Sequence, residues 1–197
     1  SNEKRYLSNI IQLFPYLDMV ALNRVEAEKM TNRLLSSYQD IQEAAHAILA
    51  LGSNSVLLKG GRFKDSLFSQ DYWTNGKESF WIASQRWPKT YIVAGCTLSS
   101  AIVACLTLGH PLKDAIVRAR MYVNCKIRNS SETKPSTSLC DSDQSGHHMD
   151  LPYLSSTPLS KIPMPFKRCS TGLYPVVDRS HWLEKLLPLG VKCIQLR

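Results

Sequence analysis

Apolar positions recur at helical spacing in some stretches of this chain and as short unbroken runs in others, and the alternation marks out its elements. Leu7, Ile10, Ile11 and Phe14 stand at helical spacing and predict a helix over 3–15. Met19 to Leu22 is a short apolar run of the kind a buried strand makes. Residues 24–36 read as a helix, and so do 38–51, where Ile41, Ala44, Ala45 and Ile48 line one face and Gly52 supplies the stop. Val56 to Leu58 is a second buried strand, closed by Lys59-Gly60-Gly61. Asp71 to Trp73 and Ser79 to Ile82 flank Asn75-Gly76, a hairpin signal. A helix then runs from the Ala94-Gly95-Cys96-Thr97 turn to Leu108, with Leu98, Ala101, Ile102 and Cys105 on its face, and Gly109 and Pro111 end it. Leu112, Ala115, Ile116, Ala119 and Val123 predict a further helix over 112–128.

Residues 129–171 change character: they are rich in Ser, Thr and Pro, carry little apolar periodicity, and read as a linker. Order returns with a strand over Leu173 to Val177, a helix over 179–189 carrying Trp182, Leu183, Leu186 and Leu187, and a strand over Val191 to Leu196. A strand–helix–strand this short implies parallel pairing. The first 128 residues alternate helices and strands around one hairpin, which is the pattern of a layered α/β domain. Too few strands are visible for a complete doubly wound sheet, and the chain closes on a strand with no partner after it, so a piece of a longer protein is expected.

Composition narrows the field less than patterning does. Of the 197 residues 44% are hydrophobic and 20% charged, which is ordinary for a globular protein. The net charge of +8 favours anionic partners, yet the basic residues are scattered. No run of Lys and Arg and no basic–aromatic stripe points to nucleic acid, so the charge points to phosphate ligands or serves simple solvation. The stretch Ala94 to Gly109 is interrupted by Thr and Ser and too short to span a membrane. The six cysteines form no C-x-x-C pair, which argues against zinc, and no signal peptide is visible, so reduced thiols in the cytoplasm are expected.

Three places carry candidate chemistry. At Ala94-Gly95-Cys96-Thr97 a loop becomes a helix; free N–H groups and the positive end of the dipole make an anion site there, and a thiol so placed ionises more readily. The plainer account is that Cys96 is a small buried residue. Asn23-Arg24-Val25-Glu26 opens a helix after a strand; Asn23 and Glu26 can serve a Mg²⁺–phosphate group through water, and the same spacing is a capping box. Lys59-Gly60-Gly61 ends a buried strand, where ligands of open α/β sheets bind: Lys59 can neutralise phosphate and Gly60 lets backbone approach, or the glycines serve a turn with positive φ.

Taken together, these segments resemble one family. Asn23-Arg24-Val25-Glu26-Ala27-Glu28, Val56-Leu57-Leu58-Lys59-Gly60-Gly61, Asp71 with Asn75-Gly76, and Gly95-Cys96-Thr97-Leu98-Ser99-Ser100-Ala101-Ile102 are similar, in order and spacing, to the N-x-x-E-A-E, V-L-V-K-G-G, D-x-L-x-D-G and G-C-T-L-S-S-A-I segments of hydroxymethylpyrimidine-phosphate kinases. The resemblance implies a ribokinase-like fold and phosphorylation of hydroxymethylpyrimidine and its monophosphate with ATP and Mg²⁺. It implies that Cys96 takes the place of the catalytic residue, that Gly95 and Ala94 form the anion hole, that Asn23 and Glu26 serve the metal–phosphate end, and that Lys59 and Gly60 lie on the nucleotide side. Relatives of this fold are often dimers, so a homodimer is compatible with it. The family reads T-H-G-T-G-C before the helix, whereas this chain has Tyr91-Ile92-Val93-Ala94-Gly95-Cys96; Val93 replaces a glycine and resists positive φ.

The tail resembles a second family. Gly172-Leu173-Tyr174-Pro175-Val176-Val177-Asp178 and Gly190-Val191-Lys192-Cys193-Ile194-Gln195-Leu196-Arg197 are similar to the opening strand–helix–strand of thiamine-phosphate synthases, which are TIM barrels. By that match Gln195 and Arg197 contact a pyrimidine diphosphate. The expectation is therefore a partial kinase domain over 1–128, a linker over 129–171 and a barrel opening over 172–197. The kinase segment alone, lacking the family's first half, is not expected to turn over. Two rivals stand beside this: another ribokinase-like kinase, such as one for pyridoxal, and a non-catalytic binding module, which Val93 favours.

Overall fold

The computed structural model describes residues 2–60, 63, 66–86, 94–129, 147–161 and 173–197. The chain divides into two units, 1–161 and 162–197. In the first, helix α1 (Asn2–Ile11) is followed by a 3₁₀ turn at Phe14–Tyr16, not by the continuous helix to residue 15 that the periodicity predicts. Pro15 has no N–H to extend an α-helical ladder, so the chain tightens there, and Phe14 enters the core instead.

Strand β1 (Val20–Asn23) leads directly into α2 (Arg24–Thr31). Asn23 caps this helix: its side chain accepts from Glu26 N while Glu26 accepts from Asn23 N, at 2.9 and 2.7 Å, the capping box expected from the spacing. The helix stops five residues short of expectation because Asn32 turns left-handed, at φ 51°, a conformation Asn tolerates better than most residues. Ser37 and Asp40 make a second capping box at the start of α3 (Tyr38–Leu49). Hydrogen bonds to the Asp40 carboxylate, from Ser36 N foremost and then the Ser36 and Ser37 groups, hold its pKa below the ordinary value.

Strand β2 (Val56–Lys59) pairs in parallel with β1, so that Asn23 stands opposite Lys59. Strands β3 (Phe68–Thr74) and β4 (Ser79–Gln85) form the expected antiparallel hairpin. The turn at Asn75-Gly76 spans four residues and is held by Asn75 Oδ1, which accepts from Lys77 N and Glu78 N. The sheet runs β1-β2-β3-β4-β5, where β5 is Tyr153–Ser155, and is mixed. Helices α4 (Ala94–Thr107) and α5 (Leu112–Asn129) follow the hairpin.

Alternation along the strands sends side chains to two cores. Val20, Leu22, Val56, Leu58, Tyr72 and Trp81 pack with Ala27, Ile41, Ala44 and Ile48 of α2 and α3. Leu57, Trp73 and Ile82 pack with Leu98, Ile102, Ala115, Ala119 and Val123 of α4 and α5. The result is an α/β sandwich of helices, sheet and helices, as the alternation of elements predicts.

The expected linker over 129–171 needs correction. Residues 147–161 belong to the first unit: a 3₁₀ turn at His148–Asp150 and strand β5 (Tyr153–Ser155), which pairs with β4 through Trp81↔Ser155, Ile82↔Leu154 and Ala83↔Tyr153. Low periodicity hid a three-residue edge strand, because tertiary contacts hold it more than its own pattern does.

In the second unit, β6 (Val176–Val177) and β7 (Gln195–Leu196) pair in parallel, as expected, across α6 (His181–Leu186) and a 3₁₀ turn at Leu187–Leu189. The elements are shorter than predicted. Pro188 breaks the helix, and Gly190 closes it at φ 80°.

Candidate functional site

The parallel pairing of β1 and β2 brings their carboxyl ends together, and the candidate residues gather there. Asn23 and Lys59 end the two strands side by side. Lys59 reaches over to the first turn of α4, where its Nζ donates to the Gly95 carbonyl at 3.5 Å, across 36 residues of sequence. Thus Asn23, Glu26, Lys59, Gly95 and the α4 terminus bearing Ala94 and Cys96, which lie in three separate sequence segments, converge on one end of the sheet. Gly61 and Val93, both singled out by sequence, lie outside the described residues.

Electrostatics give this end of the sheet its character. The first turn of a 14-residue helix carries positive partial charge, and an ammonium beside it is not favoured by the dipole. Among the described residues no carboxylate forms an ion pair with Lys59, which is half-buried. Ammonium and helix terminus therefore add their positive potentials in a place that suits a phosphate. Cys96 is exposed at this terminus rather than buried, which removes the plainer account of it. Ser99 Oγ turns back onto the Gly95 carbonyl at 3.2 Å.

Gly60 plays a different part from the one expected. It is buried, and a Cβ there would stand 2.6 Å from the Gln70 carbonyl oxygen and 2.8 Å from Ile41 Cδ1. Its smallness serves the packing of β2 against β3 and α3; the page of backbone it leaves bare faces protein, and its φ is not positive. Gly95 is less crowded: a Cβ would meet only Lys59, with Nζ at 3.5 Å and Cδ at 4.0 Å.

Glu26 and Asn23 are exposed, and each uses one side-chain oxygen in the capping box. The second carboxylate oxygen of Glu26 has no hydrogen bond among the described residues. One carboxylate, with phosphate oxygens and water for the rest, is the donor set Mg²⁺ commonly takes. No group of three His, Cys, Asp or Glu side chains able to hold a metal occurs among the described residues.

Sequence reasoning missed the cavity that opens beside Cys96. About 540 Å³ in volume, it runs between α4 and α5 and is lined by Cys96, Thr97, Ser100, Cys105, Arg118 and Tyr122 among others. Small residues at a four-residue spacing on α4 (Cys96, Ser100, Ala104) were its signal, but that spacing also describes ordinary helix packing. In the second unit Gln195 and Arg197 lie at the carboxyl end of β7. Gln195 accepts from Tyr174 OH at 3.3 Å, and Arg197 N donates to the Val177 carbonyl at 2.9 Å.

The family model for phosphomethylpyrimidine kinase matches residues 2–139. The chain belongs to the phosphomethylpyrimidine kinase family. Over 118 residues it is 37% identical to the thiamine biosynthesis bifunctional protein ThiED of Geobacter sulfurreducens, covering 59% of this chain and 24% of that protein. Over 124 residues it is 32% identical to a hydroxymethylpyrimidine/phosphomethylpyrimidine kinase of Staphylococcus aureus, covering 61% of this chain and 44% of the relative. It spans less than half the length of these curated relatives. Among solved structures it is similar to the pyridoxal kinase of Staphylococcus aureus in complex with AMP-PCP and pyridoxal, at 28% identity and a TM-score of 0.60, covering 65% of this chain and 49% of that one. An ADP complex of Bacillus subtilis pyridoxal kinase gives 28% and 0.61, covering 66% and 52%. The fold of this phosphotransferase family is ribokinase-like, as the motifs imply. Among the described residues no helix is long and apolar enough to cross a membrane.

Proposed function

We propose that the first unit is the C-terminal half of a kinase that transfers the γ-phosphoryl group of ATP to hydroxymethylpyrimidine and its monophosphate in thiamine biosynthesis. The observation that carries this reading is the half-buried Lys59 ammonium held at the positive end of α4 beside exposed Cys96. Phosphoryl transfer depends chiefly on positioning and on charge stabilisation, and both are supplied by fixed groups here. The α4 terminus and Lys59 bind the transferring phosphoryl group, and Cys96 takes the acceptor's proton. The cavity between α4 and α5 gives the rest of a phosphate-bearing ligand room beside Cys96. Glu26, with Asn23 beside it, would hold Mg²⁺ through its second carboxylate oxygen; bound there, the ion would neutralise phosphate charge.

The same reading makes 172–197 the opening of a thiamine-phosphate synthase barrel. Its support is the parallel β6–α6–β7 unit with Gln195 and Arg197 at a strand's carboxyl end, the side of a barrel where substrates bind. Arg197 then forks a diphosphate oxygen pair.

The test is steady-state transfer from ATP to hydroxymethylpyrimidine phosphate by a protein containing this chain together with a ribokinase-like first half. Cys96→Ala is expected to lower kcat by about 10²–10⁴-fold, the usual contribution of a positioned proton acceptor. Binding of the pyrimidine without ATP turnover in the unsubstituted protein would establish the binding module instead. Pyridoxal is a second acceptor, favoured by the solved relatives at 28% identity, and a higher kcat/KM for pyridoxal than for the pyrimidine would move the assignment to it.

A further inference from the structure

Residues 147–161 lie in a stretch whose composition reads as a connector, yet three sets of contacts fasten them to the first unit. At one end the Asp150 carboxylate, 1% exposed, accepts from Arg128 Nε at 2.8 Å and from Arg128 Nη2 at 2.9 Å. The Asp150 backbone carbonyl accepts from Asn124 Nδ2 at 2.9 Å. In the middle, β5 continues the sheet beyond β4, and Tyr153 sets its ring against Phe68. At the other end Gln70, wholly buried on β3, clasps the backbone of Leu159: Nε2 donates to Leu159 O at 2.9 Å, and Oε1 accepts from Leu159 N at 2.8 Å.

The two ends differ in strength and in reach. The Arg128–Asp150 fork is charge-assisted and bidentate, the stronger kind of hydrogen-bonded pair, and its carboxylate is desolvated. The hydrogen bonds to Asp150 also raise the Arg128 pKa. Gln70 connects inward. The same Nε2 donates to Tyr38 OH at 2.7 Å, and the Gln70 carbonyl is the atom against which Gly60, next to Lys59, is packed. Without Leu159 the buried amide keeps only Tyr38 OH on Nε2 and its Oε1 loses its partner, so Gln70 has reason to shift whenever the segment lifts away.

We propose that residues 147–161 are a strap that closes along the edge of β4 as a unit, locked by the Arg128–Asp150 fork, and that through Gln70 its closure steadies the Lys59–Gly60 strand end. The strap itself does not depend on any reading of ligand chemistry. Its effect on ligand binding rests on Lys59 as the phosphate-binding group proposed above.

Hydrogen–deuterium exchange on the full chain tests it, with Asp150→Asn to weaken the fork and Gln70→Met to open the clasp. In both variants the amides of Tyr153 to Leu159 are expected to exchange about tenfold faster or more, the loss of a charge-assisted or buried hydrogen bond. The amides of Leu58 to Gly60 are expected to follow, while those of Ile41 to Ile48 keep their wild-type rates. Unchanged exchange over Tyr153 to Leu159 in both variants overturns the strap. So does acceleration that arrives equally in Ile41 to Ile48, which would make the segment an inseparable part of the fold. A strap that opens while Leu58 to Gly60 keep their protection overturns the coupling. Titration with ATP separates the two readings: a wild-type chain that binds no ATP sinks the phosphate site and leaves the exchange result standing.

Discussion

Two glycines that sequence assigns to the same phosphate site are expected to respond to alanine in opposite ways. At position 60 the new Cβ would lie 2.6 Å from the Gln70 carbonyl oxygen and 2.8 Å from Ile41 Cδ1. Ile41 is fully buried among Ala44, Ala45 and Leu58 and has little room to swing, and Gln70 contributes rigid backbone. The end of β2 must therefore move off β3, carrying Lys59 with it. Overpacking of this kind costs about 1–3 kcal/mol. For a unit of this size each kcal/mol lowers Tm by roughly 2–4 °C, so Gly60→Ala is expected to melt about 2–12 °C below wild type. At position 95 the Cβ would meet only Lys59, no nearer than 3.5 Å, which is ordinary contact. Alanine is the better helix former by about 0.5–1 kcal/mol, so Gly95→Ala is expected to hold or slightly raise Tm. Buried Trp73 and Trp81 report unfolding by fluorescence, and calorimetry gives a second measure. A Gly60→Ala protein that melts at the wild-type temperature, or one more stable than Gly95→Ala, would refute the packing argument and return Gly60 to the ligand.

Lys59→Met removes the ammonium at the α4 terminus and is expected to weaken ATP binding by about 10–150-fold, the worth of one charge-assisted hydrogen bond, with Tm little changed; calorimetric titration checks it. Arg120 and Asp71 form a buried ion pair at 3.3 Å beneath the sheet, with Arg120 Nε also donating to Ser84 Oγ. Asp71→Ala leaves that cation buried and is expected to cost about 3–5 kcal/mol in urea titration, while adding Arg120→Met recovers most of the loss. Asp40 has a folded-state pKa below its ordinary 3.8, so its ionised form is favoured by folding: the stabilisation is present above that value and fades as pH falls through the lower folded one. Amide exchange in the first turn of α3 should accelerate below about pH 4 in the wild type, and Asp40→Asn should show no such acid dependence.

Strongly patterned elements were legible in the sequence because their periodicity and their burial have one cause. Ile41, Ala44, Ala45 and Ile48 announce α3 and are its buried face; the apolar run at Val56 to Leu58 announces β2 and is buried on both sides of the sheet. The Asn23–Glu26 capping box was legible too, since it is closed by atoms three residues apart. Elements with weak patterns were not: β5 has three mostly exposed residues, and what holds it is β4 and the side chains of α5 and β3. The same holds at the candidate site. Cys96 at a helix start and Lys59 at a strand end were both visible, but their meeting was not, nor was the packing that makes Gly60 small.

By itself, then, the sequence determined the family, the strongly patterned elements and the positions of the candidate residues along the chain, because motifs, caps and hydrophobic faces are local and repeat on the scale of a helical turn or a strand. Only the tertiary structure decided which of those residues share a site. The parallel register of β1 and β2 set Asn23 beside Lys59, and Lys59 crossed 36 residues of sequence to reach Gly95. Only the fold, again, drew Asp150 and Leu159 out of an apparent linker and onto Arg128 and Gln70. Contacts of that kind join groups far apart along the chain, and their energies depend on burial and distance, neither of which a linear pattern encodes.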